Sequence, residues 1–110
     1  MENKSSTGMK ENLAGLFCYV LGWITGLIFF LIEKESKFVK FHALQSLLFF
    51  GAIFVGSLVL SMVPILGWLI SFLLFILAIV FWIVGMVKAF NNEKYKFPII
   101  GDIAEKQIFE

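Results

Sequence analysis

The chain alternates between long uncharged stretches and short charged ones, and that rhythm predicts its elements. Met1 to about Asn12 is a polar tail rich in Ser, Lys and Asn. No charged side chain falls between Leu13 and Ile32, a run of 20 residues. At ~1.5 Å per residue such a run reaches ~30 Å as a helix, the thickness of a hydrocarbon core. It is too long for the apolar core of a cleaved leader and has no small-residue cleavage site after it, so it predicts a first span over about 13–32. Glu33 to Lys40 follows as a charged loop, and then 47 residues from Phe41 to Val87 carry no charge. That is about twice the length of one span, so the run must fold back. Ser61-Met62-Val63-Pro64-Ile65-Leu66-Gly67-Trp68 marks the place. Pro64 breaks a helix, Gly67 tolerates turn geometry, and Trp68 suits a membrane–water interface. The second and third spans are predicted over about 39–63 and 65–89.

Beyond Val87 the chain is charged again. Ile100, Ala104 and Ile108 recur at i, i+4 and i+8 with Ile103 beside them, and Asp102 and Glu105 suit the first turn of a helix. This predicts a short interfacial amphipathic segment inside a cytoplasmic tail over 91–110. The expected fold class is all-α: an integral membrane helical bundle of three transmembrane helices plus that C-terminal segment. With three spans, the Glu33–Lys40 loop and the C-terminal tail share one side and carry seven of the nine lysines. The positive-inside rule then places a multi-pass chain in the cell membrane with its N-terminus outside and its C-terminus in the cytoplasm.

Composition sharpens the picture. Of 110 residues, 60% are hydrophobic and 15% charged, and mean hydropathy is +0.93. A soluble domain is about 25% charged. The net charge of +1 and the absence of arginine give no basis for nucleic-acid binding. Cys18 is the only cysteine. It cannot form an internal disulfide or complete a metal site.

Two groups of residues are candidates for a role. Gly15, Gly22 and Gly26 share one face of span one. Gly67, Ser71, Ala78 and Gly85 form a small-residue seam along span three, and Ala52 and Gly56 lie on span two. Small residues let helix backbones approach closely, either among the chain's own spans, which we favour, or against a partner. The second group is His42, Gln45 and Ser46, at i, i+3 and i+4 on one face at the start of span two. It reads as a proton- or ligand-sensitive site at the cytoplasmic mouth, or as an interhelical bond to Asn91 or Asn92, which we favour.

No Asp, Glu, Lys or Arg lies inside a predicted span, where each would cost ~2.5–3.5 kcal/mol and mark an ion or proton pathway. No nucleophile can be paired with the single histidine, and no metal ligands have suitable spacing. The sequence therefore predicts no catalytic residues, no metal and no cofactor. The expected partners are the lipid bilayer, further copies of the chain or other membrane proteins.

Phe38-Val39-Lys40-Phe41-His42-Ala43-Leu44-Gln45-Ser46, together with Tyr95-Lys96-Phe97-Pro98-Ile99-Ile100-Gly101-Asp102-Ile103-Ala104-Glu105-Lys106, resembles two motifs of small prokaryotic membrane proteins. These are related to Tic-twenty of the chloroplast inner-envelope import translocon. The resemblance extends from about Leu13 to Lys106. For plastid members, drawn with four spans, it implies a helical subunit of a protein-conducting complex. A component of a protein-conducting or small-solute channel is therefore the alternative to a non-enzymatic packing subunit.

Overall fold

The uncharged stretch 13–32 is not one helix. In the computed structural model, which describes residues 8–109, it is divided between α1 (Glu11–Val20) and α2 (Trp23–Ile32). Gly22 sits between them at φ 64°, ψ −130°, a backbone conformation open to glycine and closed to most L side chains. The polypeptide reverses there. Along α1, Glu11 lies beside Ser36 and Tyr19 beside His42 and Gln45, so α1 runs parallel to α3 (Lys37–Leu60). Along α2 the order is opposite. Trp23 stacks near Phe54 (5.5 Å), Gly26 faces Ala43 and Leu47, and the Phe30 ring lies under Lys40 (5.3 Å). Each half has 10 residues, or ~15 Å of helix, half of what a crossing needs.

This corrects the three-span expectation. Among the described residues two helices are long and apolar enough to cross a membrane: α3, of 24 residues, and α4 (Leu66–Phe90), of 25. Because α1 and α2 form a hairpin, the start of α1 and the loop before α3 lie at the same end of the molecule. Asn12 also donates to the Phe90 carbonyl (3.0 Å), so the start of α1 and the end of α4 lie at that same end. Met1 to Thr7 of the predicted polar tail, and Glu110, lie outside the described residues.

The start of α3 is fixed by its neighbours. Ser36 is its N-cap, accepting from the Val39 N–H (3.2 Å), and its hydroxyl donates to the Glu11 carboxylate. Glu33 folds over the same turn and accepts from the N–H groups of Glu35 (3.1 Å) and Ser36 (2.8 Å). At the opposite end, Pro64 does mark the reversal between α3 and α4, but the unusual backbone falls on Ile65, at φ 67°. Gly67 serves the turn differently. A side chain there would strike the Leu60 carbonyl and come within 3.0 Å of the Val63 Cβ.

After Phe90 the chain does not leave the bundle. It passes back inward in extended form, bringing Glu93 to His42, Tyr95 to Gln45, and the Phe97 ring between Phe49 and Phe81, 4.9 Å from each. It then returns as α5 (Ile100–Phe109) alongside α3, with Ala104 buried against Phe41 and Leu44. The core sits entirely in this half of an elongated molecule of 52 × 22 × 21 Å, around Tyr19, Val39, Ala43, Phe49, Phe50 and Phe97. Toward the Pro64 turn only α3 and α4 continue, with Phe54, Leu58, Leu69, Phe72 and Phe75 exposed. An apolar surface of this extent matches lipid, not water.

Candidate functional site

His42, Gln45 and Ser46 lie on one face of α3, since positions i, i+3 and i+4 share a helix face. All three are fully buried, and they face elements from both ends of the chain. The His42 Nε2 lies 3.0 Å from the Glu93 carbonyl. A carbonyl can only accept, so Nε2 carries the proton, and in a neutral ring Nδ1 is then the acceptor. The Tyr19 hydroxyl donates to Nδ1 at 2.6 Å. The Gln45 amide donates to that hydroxyl (2.9 Å) and to the Tyr95 carbonyl (2.9 Å), while its Oε1 accepts from the Phe97 N–H (2.8 Å). Every donor of this His42–Tyr19–Gln45 network meets an acceptor. Asn91 and Asn92, the partners expected from sequence, are not the ones used; main-chain atoms of 93, 95 and 97 are.

Ser46 belongs to the break between α1 and α2. A helix broken in an apolar setting frees main-chain groups that each cost several kcal/mol if left bare. Here side chains meet them. Trp82 Nε1 donates to the Val20 carbonyl (3.2 Å), and Ser46 adds a second bond (2.9 Å) to the Gly22 carbonyl, which also accepts from the Gly26 N–H. The Thr25 hydroxyl accepts from the Leu21 N–H (3.1 Å) and donates to the Cys18 carbonyl (3.2 Å). Tyr19, Thr25 and Trp82 were missed by the sequence reading. The signal for Thr25 was present: a hydroxyl one turn beyond a possible break competes with the helix ladder.

The small residues divide into two groups. Gly15 faces Ala89 and Phe38, Gly22 faces Phe50, Gly26 faces the main chain of Ala43 and Leu47, Gly67 closes the turn, and Gly85 lies under the Tyr19 ring. Ala78 packs against the core. Ala52 is exposed and nothing lies within 4 Å of a side chain built at Gly56. The Ser71 hydroxyl is covered without a hydrogen-bond partner, far along α4 from the histidine.

The outer face of the clasp is ionic. Lys94 pairs with Glu105 (2.7 Å), and Lys96 with Asp102 (3.1 Å) and Glu105 (3.3 Å). Hydrogen bonds from Lys94 and Lys96 hold the Glu105 carboxyl below its ordinary range, and those to Asp102 and Glu105 raise Lys96. Lys94 also lies over the Phe109 ring (4.2 Å). Among the described residues no group of three or more His, Cys, Asp or Glu side chains is placed to hold a metal ion.

A hydrogen-bonded core at one end and a bare apolar hairpin at the other define a helical membrane protein. More particularly, the chain belongs to the magnetosome magnetite crystal formation protein family (MamF/MmsF), whose model matches residues 4–104. It is 52% identical over 103 residues to the UPF0132 membrane protein MJ1443 of Methanocaldococcus jannaschii, covering 94% of this chain and 93% of that one. It is 50% identical over 99 residues to MJ1527 of the same organism, covering 90% and 71%. A UPF0132 membrane protein of Archaeoglobus fulgidus is 49% identical over 100 residues, covering 91% and 97%. No solved structure matches. This assignment overturns the resemblance to the Tic-twenty translocon proteins, and with it goes the protein-conducting role that the resemblance implied. In physical terms, the two motifs that carried it meet in a clasp: one supplies Gln45, and the other supplies the Tyr95 carbonyl and Phe97 N–H that Gln45 holds.

Proposed function

We propose that this chain is a non-enzymatic, multi-pass packing subunit of the membrane, crossing it twice through α3 and α4 and associating with further copies or other membrane proteins. The observation that carries this reading is the division of the molecule. One end has its polar groups locked to one another, and the other presents only an apolar hairpin. A network whose donors and acceptors are all engaged positions segments and leaves no group free for a substrate. Ala52 and Gly56 are the small residues left open for a neighbouring helix. From the family we carry to this chain only its place in the membrane.

With two crossings, every lysine lies on one side, in the stretches before Leu13, from 34 to 40 and from 88 onward. The positive-inside rule then assigns both termini to the cytoplasm and the Pro64 turn to the far side. Single cysteines at Lys10, Met62 and Lys106, in a Cys18→Ala background, test the topology with a membrane-impermeant reagent. Met62 is 82% exposed at the turn. Lys10→Cys and Lys106→Cys are expected to label from the same face and Met62→Cys from the other; opposite labelling of the first two overturns the two-crossing reading. Crosslinking through Gly56→Cys in native membranes tests association, and a product that is monomer alone at every density refutes it.

A further inference from the structure

The elements are distributed unevenly along the long axis, and this bears on which bilayer the protein fits. The charged half holds α1, α2, the first half of α3, the second half of α4, the connecting segment 91–99 and α5. Neither re-entrant piece goes deep. The end of α1 reaches only Phe50, with Tyr19 and Phe50 rings 6.4 Å apart, and Phe97 stops at Phe49. Among the described residues only α3 and α4 continue past Phe54. With a helix ~10 Å across, the charged half occupies about five helix cross-sections, roughly 400 Å², against roughly 160 Å² for the hairpin alone.

We propose that the chain is a wedge whose partner is a curved lipid surface, with its charged end on the convex face. A body broad in one leaflet and narrow in the other is accommodated best where the first leaflet is stretched and the second compressed. The α5 helix adds to the same sense. Its Ala104 packs on Phe41 and Leu44 of α3 while Asp102 and Lys106 are exposed, so it widens the charged end of the molecule.

Lipid is the occupant of the α4 side of the narrow half because of what lines it, whereas Ala52 and Gly56 lie on α3. Where α1 ends, an open cleft begins, lined by Phe50, Ala78, Ile79 and Trp82 without polar surface, suited to acyl chains. Further along, the exposed positions of α4 are bulky, such as Leu69, Phe72 and Ile76, whereas close helix contacts need small ones.

This inference rests on the two-crossing reading above, and its test is separable from it. Protein labelled at Lys106→Cys, reconstituted in giant phosphatidylcholine vesicles at a dilution where crosslinking shows monomer, is followed on nanotubes drawn from them. With the charged end outward, the density ratio of tube to vesicle is expected to rise severalfold as the tube narrows. With the charged end facing the lumen, the protein is expected to be depleted. Equal density in both orientations, with two-crossing labelling intact, overturns the wedge and leaves the membrane topology standing.

Discussion

Replacing Gln45 by Met isolates the contribution of the clasp. Methionine nearly preserves volume and flexibility, so the change removes hydrogen bonds without opening a large cavity. Three bonds are lost, to the Tyr19 hydroxyl, the Tyr95 carbonyl and the Phe97 N–H. The Tyr95 carbonyl and Phe97 N–H are then left in a dry site, at about 1–3 kcal/mol each, or about 2–6 kcal/mol together. Hydrogen bonds within membrane proteins average about 0.6 kcal/mol, which for three bonds gives about 2 kcal/mol. The lower figure governs, because segment 92–99 can open toward water at the charged end and recover partners there. About 2 kcal/mol corresponds to roughly a 30-fold rise in the open population. Hydrogen exchange read by mass spectrometry in lipid nanodiscs measures it, since local opening sets the protection of these amides. Peptides covering 96–101 are expected to exchange roughly 30-fold faster, while peptides from 51–60, remote from Gln45, keep wild-type protection. Unchanged protection at 96–101 would refute the claim that Gln45 holds this segment.

Gly26→Ala places a Cβ 2.8 Å from the Leu47 nitrogen and 2.9 Å from the Ala43 carbonyl, so α2 must shift off α3; Gly56→Ala meets nothing. Gly26→Ala is expected to destabilise the fold by about 1–3 kcal/mol through overpacking, read as a lower thermal midpoint in detergent, with Gly56→Ala neutral or slightly stabilising; equal midpoints for the two would contradict the packing. Glu105 titrates lower in the folded protein than in the unfolded chain, chiefly through Lys94 and then Lys96. Its contribution is therefore present above the ordinary carboxylate range and lost as pH falls through the lowered value. Exchange of α5 amides is expected to rise on acidification through that window in the wild type and to lose that step in Glu105→Gln, an outcome that an unaltered pH profile would exclude.

Much of the architecture follows from residues read in order. The 47 uncharged residues from Phe41 to Val87 are too long for one crossing and are interrupted at Pro64, so an α3–α4 hairpin is dictated by length and by one missing N–H. The period of Ile100, Ala104 and Ile108 specifies α5, and the spacing of His42, Gln45 and Ser46 places three polar side chains on one face.

What the sequence left open is the fate of 13–32. Twenty uncharged residues are long enough for one crossing helix and equally for two half-length helices. The choice between them depends on whether the main-chain groups freed at Leu21–Gly22 find partners. Thr25 is local, but Ser46 is 24 residues beyond Gly22 and Trp82 is 62 beyond Val20, and only the folded chain brings them there. The clasp was hidden for a related reason. His42 and Gln45 bind main-chain atoms some 50 residues away, in Glu93, Tyr95 and Phe97, and a backbone carbonyl or N–H has the same chemistry at every position but proline. The side chains on one face of α3 were legible as a need for partners; which segment meets that need was settled by packing, as Phe97 fills the space between Phe49 and Phe81 and carries its own N–H to Gln45.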